Sequence, residues 1–562
     1  MNPRIRRNLR ARLGAAAVIA VALLPVATGL GATPASAGAS HALIEGSGSS
    51  WAANAVNQWI ADVQSEGIEV DYTPSGDAQG RQDFANRTSD FAVTSLGYQG
   101  VDKVTGVSDT SQGRRFAYLP IAAGGTAFPY QIRYDGKMVR NLRLSGETLT
   151  KIFTDQITNW DNPEITKDNN GHALPSIPII PVVQSEGSGA TAQLTKYFAN
   201  QYPSLWQAFS HSSTFTEYYP QDPGSNQIAQ NGSDGAMNYV SSKVANGSIG
   251  YVEYSYALAK NYPVAKLLNK AGYYTLPTQY NVAVALEDAV INMNRNSPNY
   301  LLQNLDHVYT DPDPRTYALS SYVYEIEPTG TNAQDSKITT AKRQSIADFT
   351  YYSICQGQKE IGPIGYSPLP VNLVEAGFGQ IDKLKKADPA VDLTERNVRT
   401  CDNPTFVEGH PSKNYLAKIA PLPPSCDKIG AGPCAAGVTP NGIGKTPTTS
   451  GTYPGTKSSG NGGGDSQPGS GGGKGGGSSS GAKGGSTTGG TQPTTGTTNP
   501  LVADQNGEGA DQAVTVPAGL AGYRSSHLTA VLAPLAVALL VLALVLPPLV
   551  AHRIQAGRRG RD

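Results

Sequence analysis

The sequence predicts an α/β fold in which a mostly parallel sheet is crossed by helices, spread over a body of two lobes. Three segments of the chain repeat one order: an apolar run, a Gly/Ser loop, then apolar residues at helical spacing. Strands that alternate with helices build parallel sheets. Residues 38–386 hold nearly all the aromatic and β-branched side chains and no long low-complexity stretch. A chain of that length buries a substantial core and commonly divides in two.

The elements follow in order. Arg4, Arg6, Arg7, Arg10 and Arg12 precede an apolar run, Leu13 to Leu24, and the small-residue site Ala35-Ser36-Ala37. Basic segment, apolar segment and A-x-A site predict a secretory signal peptide over 1–37. The first βα unit is a strand over His41 to Glu45, the loop Gly46-Ser47-Gly48-Ser49-Ser50 and a helix from Trp51. In that helix Val56, Trp59, Ile60 and Val63 fall on one face. Ile68 to Tyr72 is the next strand. The second unit has the loop Ser75-Gly76-Asp77-Ala78, a helix over Arg81 to Asn86 and a strand over Phe91 to Thr94. The third has a strand over Ile177 to Val183, the loop Gly187-Ser188-Gly189-Ala190 and a helix over Thr191 to Asn200.

Such loops matter because a helix N-terminus presents free N–H groups and a partial positive charge. Glycine permits close backbone approach, and serine adds a hydroxyl donor. One such loop is an ordinary helix cap; three at successive βα junctions point to an anion site that needs no lysine. The sequence offers little for catalysis. It has no G-x-S-x-G elbow, no H-E-x-x-H and no Walker motif, and its seven histidines are scattered. The first Gly/Ser loop lacks the third glycine of a dinucleotide fingerprint. The expectation is a binding protein without a cofactor, not an enzyme.

Beyond the body, residues 387–435 are rich in Pro and Cys and are expected to form a folded appendix. Cys355, Cys401, Cys426 and Cys434 are the only cysteines. An even count outside the membrane favours disulfides, and four cysteines allow three pairings. Loop closure suits Cys355–Cys401 with Cys426–Cys434. A metal site is disfavoured, since no pair is spaced C-x-x-C and His410 stands alone nearby. Residues 436–525 are dominated by Gly, Ser and Thr, too polar and small to bury a core, and are expected to be a flexible linker. From Leu528 to Val550 no residue is charged, a length that crosses a bilayer core of about 30 Å. A single transmembrane helix over 526–551 is expected, with the Arg-rich tail 552–562 in the cytoplasm and the bulk of the chain outside. The two ends hold nine of the 44 Lys+Arg and one of the 44 Asp+Glu, which leaves 35 basic against 43 acidic. A net acidic exterior excludes general nucleic-acid binding.

Five segments, in order, resemble one family. Gly46-Ser47-Gly48-Ser49-Ser50-Trp51-Ala52 is similar to a G-x-G-(A/S)-(T/S)-F-x opening. Ile157-Thr158-Asn159-Trp160-Asp161 is similar to "ITNWND", and Gly187-Ser188-Gly189 to "DGSGT". Gly247-Ser248-Ile249-Gly250-Tyr251-Val252-Glu253-Tyr254 is similar to "GAIGYVEY", and Gly365-Tyr366-Ser367-Pro368-Leu369-Pro370 to "GYAPLP". These belong to the phosphate-specific substrate-binding proteins of bacterial ABC transporters; the appendix and anchor resemble those of actinobacterial members. The resemblance implies a two-lobed periplasmic-binding-protein fold of the type 2 kind. Lobe one would be 41–126 with 318–386, lobe two 127–317, with hinge closure around phosphate or a related oxyanion. It also implies a permease and an ATPase as partners.

Carried over residue by residue, the resemblance places ligand contacts at Ser50 and Trp51 in the first loop. In the third loop it places them at Ser188 and Gly189, with Ser185, Gly187, Ala190 and Thr191 beside them. The family's arginine before that loop is Gln184 or Ser185 here, and its next aspartate is Glu186. The family's carboxylate that accepts the phosphate proton falls on Ser95. Its second-loop serine falls on Asp77, or on Ser75 with a gap. Asp77 could then supply the acceptor from across the pocket, and Arg81 the missing charge. The alternative is a surface interaction protein that keeps the fold and has lost phosphate.

Overall fold

The computed structural model describes residues 40–101, 108–406 and 413–434. The elements used below are, in chain order, β1 (Ile44–Gly48), α1 (Ala53–Val63), β2 (Val70–Thr73), α2 (Asp77–Ala85), β3 (Phe91–Thr94) and β4 (Phe116–Ala127). There follow β5 (Ile180–Gln184), α3 (Gly189–Gln201), β6 (Ile228–Gln230), α4 (Gly232–Val240), β7 (Ser248–Gly250) and β8 (Val252–Glu253). The last are α5 (Gln279–Ala285), β9 (Ser320–Pro328), α6 (Thr340–Ile354), α7 (Val371–Ala387) and α8 (Tyr415–Ile419). All lie in one unit that begins at His41.

β1, β2 and β3 form the parallel βαβαβ start that the sequence predicts. β1 lies in the middle, with Gly46 opposite both Tyr72 and Phe91. α1 seals one face through Val56, Trp59 and Val63, all fully buried. The Trp59 indole N–H donates to the Gly357 carbonyl at 2.9 Å, so its one polar atom is satisfied. α2 has almost no apolar stripe and is held by contact instead. A Cβ at Gly80 would overlap the backbone of Gly48, so the helix lies directly on β1.

The sheet is not mostly parallel. Its order is β8-β4-β9-β3-β1-β2, with β9 antiparallel to β3 and β4, and β8 antiparallel to β4. β4 and β9 pair along nearly their whole length, from Ser320 opposite Gly125 to Pro328 opposite Phe116. Both are buried on both faces, so neither shows the alternation that marks a half-exposed strand. A second sheet of three parallel strands, β6-β5-β7, comes wholly from the intervening chain. β8 then returns the chain to β4, with Glu253 opposite Thr126.

The predicted helix over Arg81 to Asn86 starts earlier, at Asp77, because Gly76 supplies the positive φ that turns the chain into it. The predicted strand from Ile177 starts at Ile180, after Pro178. Cysteines pair as Cys355–Cys401 and Cys426–Cys434, the first fixing the end of α6 to the appendix. Among the described residues no helix is long and apolar enough to cross a membrane. The expected signal peptide (1–37), linker (436–525), span (526–551) and basic tail (552–562) lie outside the described residues.

Candidate functional site

Three loops at the carboxyl ends of β1, β2 and β3 face the loops that follow β5 and β6. From β1 the chain runs through Ser49, whose N–H donates to Val93 O at 2.9 Å and whose carbonyl accepts from the Tyr72 hydroxyl at 2.9 Å. Ser50 is 4% exposed. Its Oγ accepts the Ser233 N–H at 3.0 Å and its carbonyl accepts from the Tyr256 hydroxyl at 2.6 Å. Trp51 lies beneath the loop as a packing residue: its ring meets Tyr366 edge-on at 5.7 Å, and its indole N–H reaches Thr126 Oγ1 at 3.3 Å.

Asp77 is the first residue of α2 and is 1% exposed. Its Oδ1 accepts the Ser95 N–H at 2.5 Å. A carboxylate at a helix start is favoured by the helix dipole, and here it also joins the end of β3 to α2. Gly189, the first residue of α3, closes on this pair from the other sheet. A Cβ there would overlap Asp77 Oδ1 and Ser95 Oγ, so only glycine fits. Asp77, Ser95 and Gly189 therefore meet at one point between the two sheets. Nearby, Ala78 N donates to Gly187 O at 3.0 Å, and Gly76 packs on Glu186.

Ser188 caps α3: its Oγ accepts from Ala190 N at 3.1 Å and Thr191 N at 3.4 Å and donates to Gln184 Oε1. Gln184 Nε2 reaches Ser233 Oγ at 3.3 Å, so a polar chain runs from Ser188 through Gln184 and Ser233 to Ser50. Buried Ser47 and Ser49 hydroxyls, and that of Ser75, have no protein partner.

Other expected positions fall elsewhere. Ser185 is exposed and its N–H is used by Gln230 O. Ala190 is packed in the core, and Thr191 turns inward, its hydroxyl 2.7 Å from that of Tyr251. Both lie within the first turn of α3, which begins at Gly189, with their side chains turned into the body. The charge expected from Arg81 is already committed. Its guanidinium, 1% exposed, pairs with Glu217 at 2.7 Å and Asp109 at 2.9 Å. Burial opposes that charge, but the two carboxylates hold Arg81 protonated.

The electrostatics of the site are unusual for an anion receptor. Glu217 and Asp109 hold Arg81, while Asp77 and Glu186 lie near each other with no cation paired to either among the described residues. Burial pushes the Glu186 carboxyl up, and Asp77 adds to that rise; the Gly232 N–H, 2.9 Å from Glu186 Oε2, opposes it. Burial likewise pushes Glu217 up against the pull of Arg81. A crevice of about 340 Å³ opens beside the site, between Arg81 and Asp109 on one wall and Thr214 to Tyr218 on the other. Glu217, Gly232 and Ser233 join the site without being singled out by the sequence. The last two form a fourth Gly/Ser loop, Asn231-Gly232-Ser233, at a βα junction after a strand of three residues. The signal was present but short. Glu217 lies on an irregular loop and carries no local signal.

A family model described as a PBP superfamily domain matches residues 33–356. The phosphate-binding protein PstS of Xylella fastidiosa (strain 9a5c) is 29% identical over 333 residues, covering 59% of this chain and 83% of that protein. The phosphate-binding protein PstS 2 of Mycobacterium tuberculosis is 29% identical over 333 residues, covering 58% and 83%. A solved structure of an ancestral soluble variant of the human phosphate binding protein superposes with a TM-score of 0.46 at 18% identity, over 60% of this chain and 93% of that one. With more than half its length matched, from upstream of β1 to just past α6, the chain belongs to the PBP superfamily.

Proposed function

We propose that this chain is an extracellular receptor for phosphate in a protonated form, delivering it to an ABC-type permease and ATPase. One observation carries the reading: the N-termini of α2 and α3 meet from opposite sheets at Asp77, Ser95 and Gly189. Helix starts supply amide donors to an oxyanion. Asp77 then serves as the acceptor for a ligand proton, in the position opposite Ser95 rather than on it. With a fixed carboxylate and no free arginine, a fully ionised dianion is repelled, while an oxyanion carrying a proton gains a hydrogen bond. The name shared by the PstS relatives supports the choice of phosphate. Lobe one is taken as 41–126 with 318–386 and lobe two as 127–317, with β4, β8 and β9 at the crossing. Anchoring through 526–551 rests on the uncharged run Leu528 to Val550 and the arginines that follow it.

A second reading is favoured by the four carboxylates around the cleft: a surface interaction protein that keeps the fold without phosphate. Calorimetry on the full chain separates the two. Phosphate should release heat and sulfate none. Gly189→Ala, which places a methyl on Asp77 and Ser95, should abolish the signal while the chain stays folded by circular dichroism. Asp77→Asn should weaken phosphate by about tenfold or more, the scale of one charge-assisted hydrogen bond, and narrow its margin over sulfate. Absence of both heat and thermal shift at about millimolar phosphate leaves the second reading standing.

A further inference from the structure

A second concave site lies on the six-stranded sheet, away from every residue of the cleft. It spans about 630 Å³ and is lined by five cations: Arg114, already paired with Asp335, and four left unpaired among the described residues, Arg115, Arg295, Lys383 and Lys386, with the rings of Phe116 and Tyr300 beside them. That volume suits a small ligand. The four cations come from three separate stretches: the residue before β4, the loop after α5, and one face of α7. None of them is within ion-pair distance of a carboxylate among the described residues.

The cations also feel one another. Lys386 and Arg295 both oppose protonation of half-buried Lys383, whose pKa is lowered chiefly by burial. The carboxyl nearest Lys383 is Glu327, which is fully buried and has no hydrogen-bond partner. Burial pushes its pKa far up, yet it is the strongest charge influence favouring Lys383 protonation, ahead of the opposing Lys386 and Arg295. Arranging like charges around a hollow costs energy unless an anion relieves it.

We propose that this pocket binds a short, densely charged phosphate compound: a condensed phosphate or a nucleoside polyphosphate. Density follows from the pocket, since four cations around about 630 Å³ match several charges in a few bonds' length. Shortness follows from the rest of the molecule. The acidic excess outside the two ends, 43 acidic against 35 basic residues, repels a long polyanion that must run over it.

The test uses the full chain, with tripolyphosphate, ATP, orthophosphate and a hexaglutamate peptide as titrants. Tripolyphosphate should bind one site, with affinity that falls as salt rises. The pair Arg295→Gln with Lys383→Gln should weaken it by about tenfold or more and leave orthophosphate binding in the cleft unchanged. Gly189→Ala should lose cleft binding and keep tripolyphosphate. Equal affinity for ATP and tripolyphosphate assigns recognition to the phosphates alone; tighter ATP adds stacking on Tyr300 or Phe116. Tripolyphosphate binding that is indifferent to the double substitution overturns the proposal. So does hexaglutamate binding where tripolyphosphate gives none. Because the cleft is read separately by orthophosphate, failure here does not touch the proposed function.

Discussion

Glu325 and Glu327 alternate along β9, so both carboxyls point to the same side of the strand. Both are buried. Glu325 has one donor for its two oxygens, the Thr350 hydroxyl at 3.1 and 3.0 Å. Burial pushes it up to about 8 from an ordinary 4.5, with Thr350 pulling slightly the other way. Between those two pH values the folded chain holds a proton that the unfolded chain has released. Stability from this group is therefore complete below about pH 4.5 and is lost as pH rises through 8. The loss is of order 5 kcal/mol for a shift of this size. Glu253, pushed to about 8 by burial, adds a slope of the same sign. Glu325→Gln keeps an acceptor for Thr350 and removes the titration. Urea unfolding from pH 5 to 8.5 should show a markedly shallower fall for the variant, with the gap closing toward pH 5. Parallel curves for the two proteins would mean that Glu325 titrates normally.

At the scale of the element, α2 decides how the two sheets are held together. It starts at Asp77, lies on β1 at Gly80, and carries Arg81 one turn on toward Glu217 of the opposite wall. The Arg81–Glu217 pair is made across the cleft, and under the proposed hinge motion its charge-assisted bonds would favour closure. Glu217→Gln should loosen closure by about 1.5–3 kcal/mol. Small-angle scattering of the unliganded variant should give a larger radius of gyration. Phosphate should bind more weakly while its margin over sulfate, set at Asp77, stays. An unchanged radius would remove the pair from any role in closure. The βαβ start was legible in the sequence because Val56, Trp59 and Val63 keep helical spacing between two short apolar runs. β4 and β9 were not legible as a pair, since strands buried on both faces carry no alternation and their partners are about 200 residues apart in sequence. At the site, Ser50, Asp77, Ser188 and Gly189 lie in the Gly/Ser loops visible in the sequence, whereas Ser95 is reached only through the family resemblance. Thr191 and Ser185 were misplaced because loop composition does not tell which way a side chain points. The commitment of Arg81 could not be read, because Glu217 reaches it through tertiary structure alone.

At the scale of the whole molecule, the appendix grips two regions far apart in the fold. Its first half is fixed to α6: Gln344 exchanges hydrogen bonds with Asp392, Arg396 pairs with Asp348 at 2.8 Å, and Cys401 is bonded to Cys355. Its second half is held by a small separate sheet built from Arg143–Leu144, Lys266–Leu268 and Tyr274–Thr275. Arg143, 1% exposed and stacked on Tyr274, donates to Cys426 O at 3.1 Å and Ala431 O at 2.7 Å, and Lys266 pairs with Asp427 at 2.6 Å. The two disulfides therefore act differently. Cys355–Cys401 closes a loop across a sequence separation of 46, Cys426–Cys434 one of 8. Loop-closure entropy alone ranks their removal at about 4 and about 2.5 kcal/mol. Replacing each pair by serine in the full chain, and unfolding in guanidinium, should show the larger loss for the long loop. Native contacts argue the other way, because the short loop shapes two of the three carbonyls that buried Arg143 uses, the third being Asp168 O, and a buried cation stripped of acceptors is costly. A larger loss from Cys426→Ser with Cys434→Ser would thus show that the grip of Arg143, not chain entropy, fastens the appendix, and Arg143→Met should then reproduce that loss with both disulfides intact.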